Sequence, residues 1–157
     1  MERKCGECTA CCKTHGVFEI QKMAGVWCPK SVLSKGCSVY ADRPGECRDF
    51  ACAWLMGFID EQYRPDKTKI VPEYRIVTGI GTILWLWEVR KGAIRSKFVN
   101  AWTLRNLLAG NCIMQVPLAE PPVLFLPERL ADLQLAFDLG ERRVAVLPFS
   151  TSRKFLC

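Results

Sequence analysis

Eight cysteines between Cys5 and Cys52 constrain this chain more than any other feature of it. They fall as Cys5-x2-Cys8-x2-Cys11-Cys12, followed by Cys28, Cys37, Cys47 and Cys52. A two-residue gap lets a chain turn tightly enough to aim two sulfurs at one ion, and a second such gap brings in a third. Adjacent cysteines tend to point apart, so Cys11 and Cys12 are expected to serve different metals, or one to serve a metal and the other not. Random scatter of free cysteines explains this density poorly. Gly6, Gly16, Gly25 and Gly36 interrupt the same stretch and apolar residues are sparse in it, so its first forty residues are expected to be loops pinned by ligands.

The redox compartment decides what clustered thiols mean. The opening MERKCGECTACCKTHG carries charges and cysteines where a secretory signal needs an apolar run. The longest apolar stretch, Ile76 to Trp87, is about half the twenty or so residues of a membrane helix and holds Gly79 and Gly81. A cytoplasmic chain without a membrane span is the expectation. There thiols stay reduced, and dense cysteine points to metal rather than disulfides.

Zinc, about two ions per chain, is the expected occupant, because paired knuckles supply four thiolates and structural zinc can fold a loop-rich module. Iron or an iron–sulfur cluster is the alternative: Cys-x2-Cys-x2-Cys suits a cluster, and Cys28-Pro29 echoes the end of ferredoxin runs. The expected ligands are Cys5, Cys8, Cys11, Cys12, Cys28, Cys37, Cys47 and Cys52. Lys4, Lys13, Lys35 and Arg48 lie beside cysteines and could donate to their sulfurs. His15, the only histidine, is a weaker candidate for replacing one thiol, and its being alone excludes a His-rich catalytic zinc site.

At 157 residues, 50% hydrophobic and 24% charged, the chain can bury one core. Composition shifts near residue 60, which separates a cysteine-rich metal-binding module (1–60) from an α+β part (61–157) sharing its core. Asp42 and Pro44 predict a helix start, with Phe50, Trp54, Leu55 and Phe58 at helical spacing behind them. Asp60 to Pro72 reads as a connector. Tyr74–Gly79 and Thr82–Arg90 read as a hairpin around Gly-Ile-Gly, with Ile83, Trp85, Trp87 and Val89 on one face. Phe98–Leu108 predicts a helix, Ile113–Val116 and Val123–Leu126 predict strands, Pro127 to Phe137 a further helix, and Arg143–Leu147 a last strand. The fold class is therefore α+β: a loop-rich cysteine half packed on a small, mostly antiparallel sheet with two or three helices.

These cysteines, with Cys37-Ser-Val-Tyr-Ala-Asp-Arg-Pro-Gly-Glu-Cys47-Arg-Asp-Phe, resemble the CxxCxxCC cysteine-cluster family, the YkgJ-like group of zinc- or iron-chelating proteins. The resemblance covers about residues 5–66, through Ala51-Cys52-Ala53-Trp54-Leu55 and Arg64-Pro65-Asp66. It implies a small cytoplasmic metal-binding protein, and it singles out Tyr40, Arg43, Pro44, Arg48 and Phe50. A flagellin lysine methylase carries a similar cysteine motif; its substrate machinery has no counterpart here, so catalysis does not carry over. The resemblance does not extend to residues 67–157.

The formal net charge of +6 would fall to about +2 with two divalent ions held by eight thiolates. The basic excess lies in residues 61–157 and is scattered, which disfavours nucleic acid as a partner. Trp85, Trp87 and Trp102 are expected in the core rather than stacked on bases. Cys112 lies among apolar residues and reads as a core cysteine, and neither it nor Cys157 has a histidine neighbour in sequence. No phosphate loop, dinucleotide fingerprint or nucleophile elbow occurs. The leading expectation is a cytosolic zinc-binding protein in a structural or adaptor role, with a protein partner possible. The rivals are an iron–sulfur protein acting in electron transfer or side-chain modification, and a zinc-dependent nucleic-acid adaptor.

Overall fold

The structure, a computed structural model, describes residues 3–130, 138–139 and 142–148. Its cysteine-rich part is built from single turns: α1 (Cys11–Thr14), the two-residue strands β1 (Ser31–Val32) and β2 (Gly36–Cys37), and α2 (Gly45–Asp49). After α3 (Pro65–Thr68) come β3 (Ile70–Val77), β4 (Gly81–Glu88), α4 (Lys97–Leu108), β5 (Cys112–Val116) and β6 (Val123–Leu126). The strands β7 (Asp138–Leu139), β8 (Arg142–Arg143) and β9 (Ala145–Pro148) complete the described residues. The class is α+β as the sequence implies. Four α-helical segments occur among the described residues, against two or three expected, and three of them are single turns.

One sheet, in the order β3-β4-β5-β6-β9, carries the fold. Its hairpin closes where expected, with Gly79 (φ 84°) and Gly81 (φ 100°) supplying backbone that L side chains avoid. The first strand begins at Ile70, inside the expected connector, and pairs Ile70 with Glu88. Pro72 is tolerated because β3 is an edge strand. The β4–β5 and β6–β9 pairings are parallel, and α4 is the crossover between β4 and β5. The other four pairings are antiparallel.

Alternation along β4 feeds two cores. Leu84 and Leu86 pack under α4 with Val99, Trp102, Leu107 and Ile113. Ile83 and Trp85 face the other way, with Cys112, Met114, Leu124 and Leu126. Cys112 is thus a buried core thiol. The helix α4 starts at Ser96, whose hydroxyl accepts from Val99 N at 3.3 Å, and ends before Gly110 (φ 81°). A third cluster joins the two parts: Ala10, Cys52 and Trp54 pack on Val71 and Val89.

Two expected helices need correction. The helix after Pro44 is only five residues, Gly45–Asp49, because Phe50 is already extended (φ −85°, ψ 124°). Beyond it, Ala53 N donates to Pro72 O at 2.8 Å and so leaves any helix for the sheet edge. Trp54 goes inward, whereas Phe58 is exposed and meets Tyr74 edge-on at 6.0 Å, so these apolar residues form no single stripe. The helix expected from Pro127 begins as a 3₁₀ turn at Glu128–Leu130, and its remainder lies outside the described residues. The last strand is Ala145–Pro148, two residues later than its expected start. No helix among the described residues is long and apolar enough to cross a membrane.

Candidate metal centre

The first knuckle is a turn closed by Cys8 N donating to Cys5 O at 3.0 Å, and α1 begins at Cys11. Cys28 N donates to Cys12 O at 3.0 Å, which returns the chain to the knuckle. Ser31 N donates to Cys28 O at 3.0 Å, and the β1–β2 ladder sets Ser31 opposite Cys37. This small hairpin seats directly on the first turn. A Cβ at Gly36 (φ +96°) would stand 2.7 Å from Gly6 O, so only glycine fits there. The short α2 supplies Cys47, whose carbonyl accepts from Arg43 Nε at 3.2 Å.

Seven of the eight candidate ligands, all but Cys28, line one cavity of about 150 Å³. No histidine or carboxylate shares its wall, whereas Arg43 and Arg48 do. All nine described cysteines are free thiols. Among the described residues, no three His, Cys, Asp or Glu side chains already form a set that could hold a metal ion, so the thiols surround the cavity without closing on a common point. The donor chemistry nevertheless fits a thiophilic metal. Sulfur alone suits zinc, iron or an iron–sulfur cluster, and it does not suit magnesium or calcium.

Burial raises the Cys8 and Cys52 thiols above the ordinary value, and neighbouring thiolates raise them further. Cys47 shifts the same way, through burial and then the fields of Cys12, Cys28 and Cys37. Cys11 donates to the Cys12 sulfur, which raises Cys11. The same bond lowers Cys12 to about 7 against the opposing effect of burial, with help from the Lys22 ammonium. A metal taken up here therefore displaces protons held by buried thiols.

Lys22 was not legible in the sequence. It is 7% exposed, and its Nζ donates to His15 O and, at 3.1 Å, to Met23 O. A tight turn holds it, with Val17 and Lys22 exchanging backbone bonds of 2.8 and 2.9 Å and Gln21 left-handed (φ 52°). Burial lowers the Lys22 ammonium from its usual range, and the fields of Cys28, Cys12, Cys47 and Cys11 oppose that. Tyr40, which the resemblance singles out, hydrogen-bonds the Cys5 thiol and lies under the Arg43 guanidinium at 4.1 Å.

His15, the weaker ligand candidate, is engaged elsewhere. Its Nδ1 is bonded to Thr14 Oγ1 at 2.8 Å and its Nε2 to Glu73 Oε2 at 3.1 Å, so both ring nitrogens are occupied. Lys13 is likewise committed elsewhere, donating to Val89 O at 2.6 Å. Glu73 is the anchor that ties the cysteine loops to β3. It accepts from His15, from Arg75 Nε and Nη2 at 2.7 and 3.0 Å, and from Trp87 Nε1 at 2.9 Å. Burial alone would raise its carboxyl, but the His15 and Arg75 bonds outweigh it and hold the group down at about 2.

No protein-family model, curated protein or solved structure matches the chain.

Proposed function

We propose that this chain is a cytoplasmic metal-binding protein of the CxxCxxCC kind, in which Cys5, Cys8, Cys11, Cys12, Cys28, Cys37, Cys47 and Cys52 hold about two zinc ions in a structural or adaptor role. One observation carries this reading: seven thiols drawn from a 48-residue stretch line a single cavity with no competing carboxylate or imidazole. Zinc bound there would act as a cross-link, holding loops that lack a hydrophobic core of their own. Arg43 and Arg48 offset thiolate charge at the cavity wall, and Tyr40 orients Cys5 through its hydrogen bond.

The iron–sulfur reading is favoured by one feature, the single cavity shared by both halves of the cysteine set. Metal and labile-sulfide analysis of anaerobically purified protein, with its visible spectrum, separates the two. About two zinc per chain without sulfide or colour supports the zinc reading. Iron with sulfide and broad visible absorption replaces it with a redox centre. Protein carrying neither metal, and unable to take either up, refutes both.

A further inference from the structure

The contacts sort the thiols into two groups. Cys8, Cys11 and Cys52 pack in one apolar cluster with Trp54 and Val71, and the 3.0 Å turn bond ties Cys5 to Cys8. Cys12 instead holds Cys28 by a 3.0 Å backbone bond, and Cys28 is joined through Ser31 to the hairpin that carries Cys37. The helix α2 that carries Cys47 is bonded to the turn that carries Lys22, Gly45 N donating to Glu19 Oε2 at 2.9 Å and Phe18 N to Glu46 Oε1 at 2.8 Å. Cys11 and Cys12, adjacent in the chain, are where the groups meet.

We infer that the eight thiols form two four-thiolate centres, Cys5 with Cys8, Cys11 and Cys52, and Cys12 with Cys28, Cys37 and Cys47, and that the Lys22 ammonium is the outer charge of the second. This division rests on the metal-binding reading above. A divalent ion in four thiolates carries a net charge of −2. Lys22 is buried, its Nζ is held at His15 O at the end of α1, three residues after Cys12, and no carboxylate among the described residues pairs with it, so the negative charge of a loaded second centre would balance it. The first centre has the Asp66 carboxylate in reach of Cys8 instead. The two centres are thus electrostatically unlike.

The test titrates full-length reduced protein with Co2+ under anaerobic conditions, the sulfur-to-cobalt absorption reporting thiolates per ion. Wild type is expected to saturate at two equivalents. Cys8→Ser with Cys52→Ser, and Cys28→Ser with Cys47→Ser, are each expected to leave one intact four-thiolate ion. The crossed pair Cys8→Ser with Cys47→Ser is expected to leave none. Saturation of wild type at one equivalent overturns the division, as does a crossed variant that keeps an intact four-thiolate ion. Should the variants fail to fold, alkylation of wild type at one equivalent of Cd2+ decides: protection must fall on the four thiols of one group together, and protection mixed across the groups overturns the division. Lys22→Met is expected to weaken retention of one ion about tenfold against a chelator, with Lys22→Arg restoring part of it. Equal weakening of both ions, or of neither, overturns the role of Lys22. Wild type that binds no Co2+ or Cd2+ at all fails the metal-binding reading itself, an outcome distinct from binding with the wrong grouping.

Discussion

Glu73→Gln is the sharpest test of how the cysteine loops are fastened to the sheet. The wild-type carboxylate is 15% exposed and accepts four hydrogen bonds from His15, Arg75 and Trp87. Glutamine keeps the size but brings an NH2 group to face those donors, and it removes the charge they surround. The carboxyl titrates at about 2 in the folded chain against the ordinary 4.5. That difference corresponds to about 3 kcal/mol of stability. Because the folded value is depressed, the contribution is fully present above pH 4.5 and is lost as pH falls from there through about 2. Glu73→Gln should therefore cost about 2–3 kcal/mol at pH 7, and the gap between variant and wild type should close progressively between pH 4.5 and pH 2. Urea unfolding followed by tryptophan fluorescence at several pH values measures it, and any metal lost in acid would be lost from both proteins. A gap unchanged between pH 7 and pH 3, or one below about 0.5 kcal/mol at pH 7, would refute the assignment of this stability to the ionised Glu73.

Other outcomes follow from the same structure. Complete chelation under reducing conditions should open the cysteine loops to trypsin at Lys13, Lys30 and Lys35 while the β3–β4 hairpin part stays partly protected; an unchanged digest and circular dichroism would rule out a structural metal. Glu88→Ala should cost about 2–4 kcal/mol in urea unfolding, since this buried carboxylate accepts from Ile94 N at 3.1 Å and Leu118 N at 2.8 Å; a cost below about 1 kcal/mol would contradict it. Gly36→Ala should destabilise the chain more than Gly79→Ala, because both have positive φ but only at Gly36 does the new Cβ meet backbone, at 2.7 Å. Equal melting temperatures for these two variants would show that the hairpin does not rest on Gly6.

The elements that could be read from the chain are those that local rules decide. The β3–β4 hairpin announces itself through alternation and two glycines, and α4 through its spacing and Gly110. What could not be read depends on partners distant in sequence. The five residues of α2 illustrate this: helical spacing from Phe50 to Phe58 is real, yet Ala53 finds its bond on Pro72 and Phe58 faces water. The parallel β4–β5 pairing leaves no local mark, since a crossover and not a turn sets it. At the candidate site, the cysteines were legible one by one. Their gathering around one cavity needed the whole chain, and so did the burial of Lys22, which in sequence is an ordinary lysine between Gln21 and Met23.

The third apolar cluster has a consequence in time. It seats Cys8, Cys11 and Cys52 against Val71 and Val89, and Val89 lies 37 residues after Cys52. At roughly 5–20 residues per second of synthesis, Cys52, the last thiol of the set, leaves the ribosome about 2–7 s before Val89, and the other thiols leave earlier still. During that interval the nascent cysteines meet metal ions, oxidants and one another without the cavity that later encloses them. Under the metal-binding reading proposed above, occupancy of the finished protein would then reflect the ion that was free at the moment of translation as well as the ion that binds best.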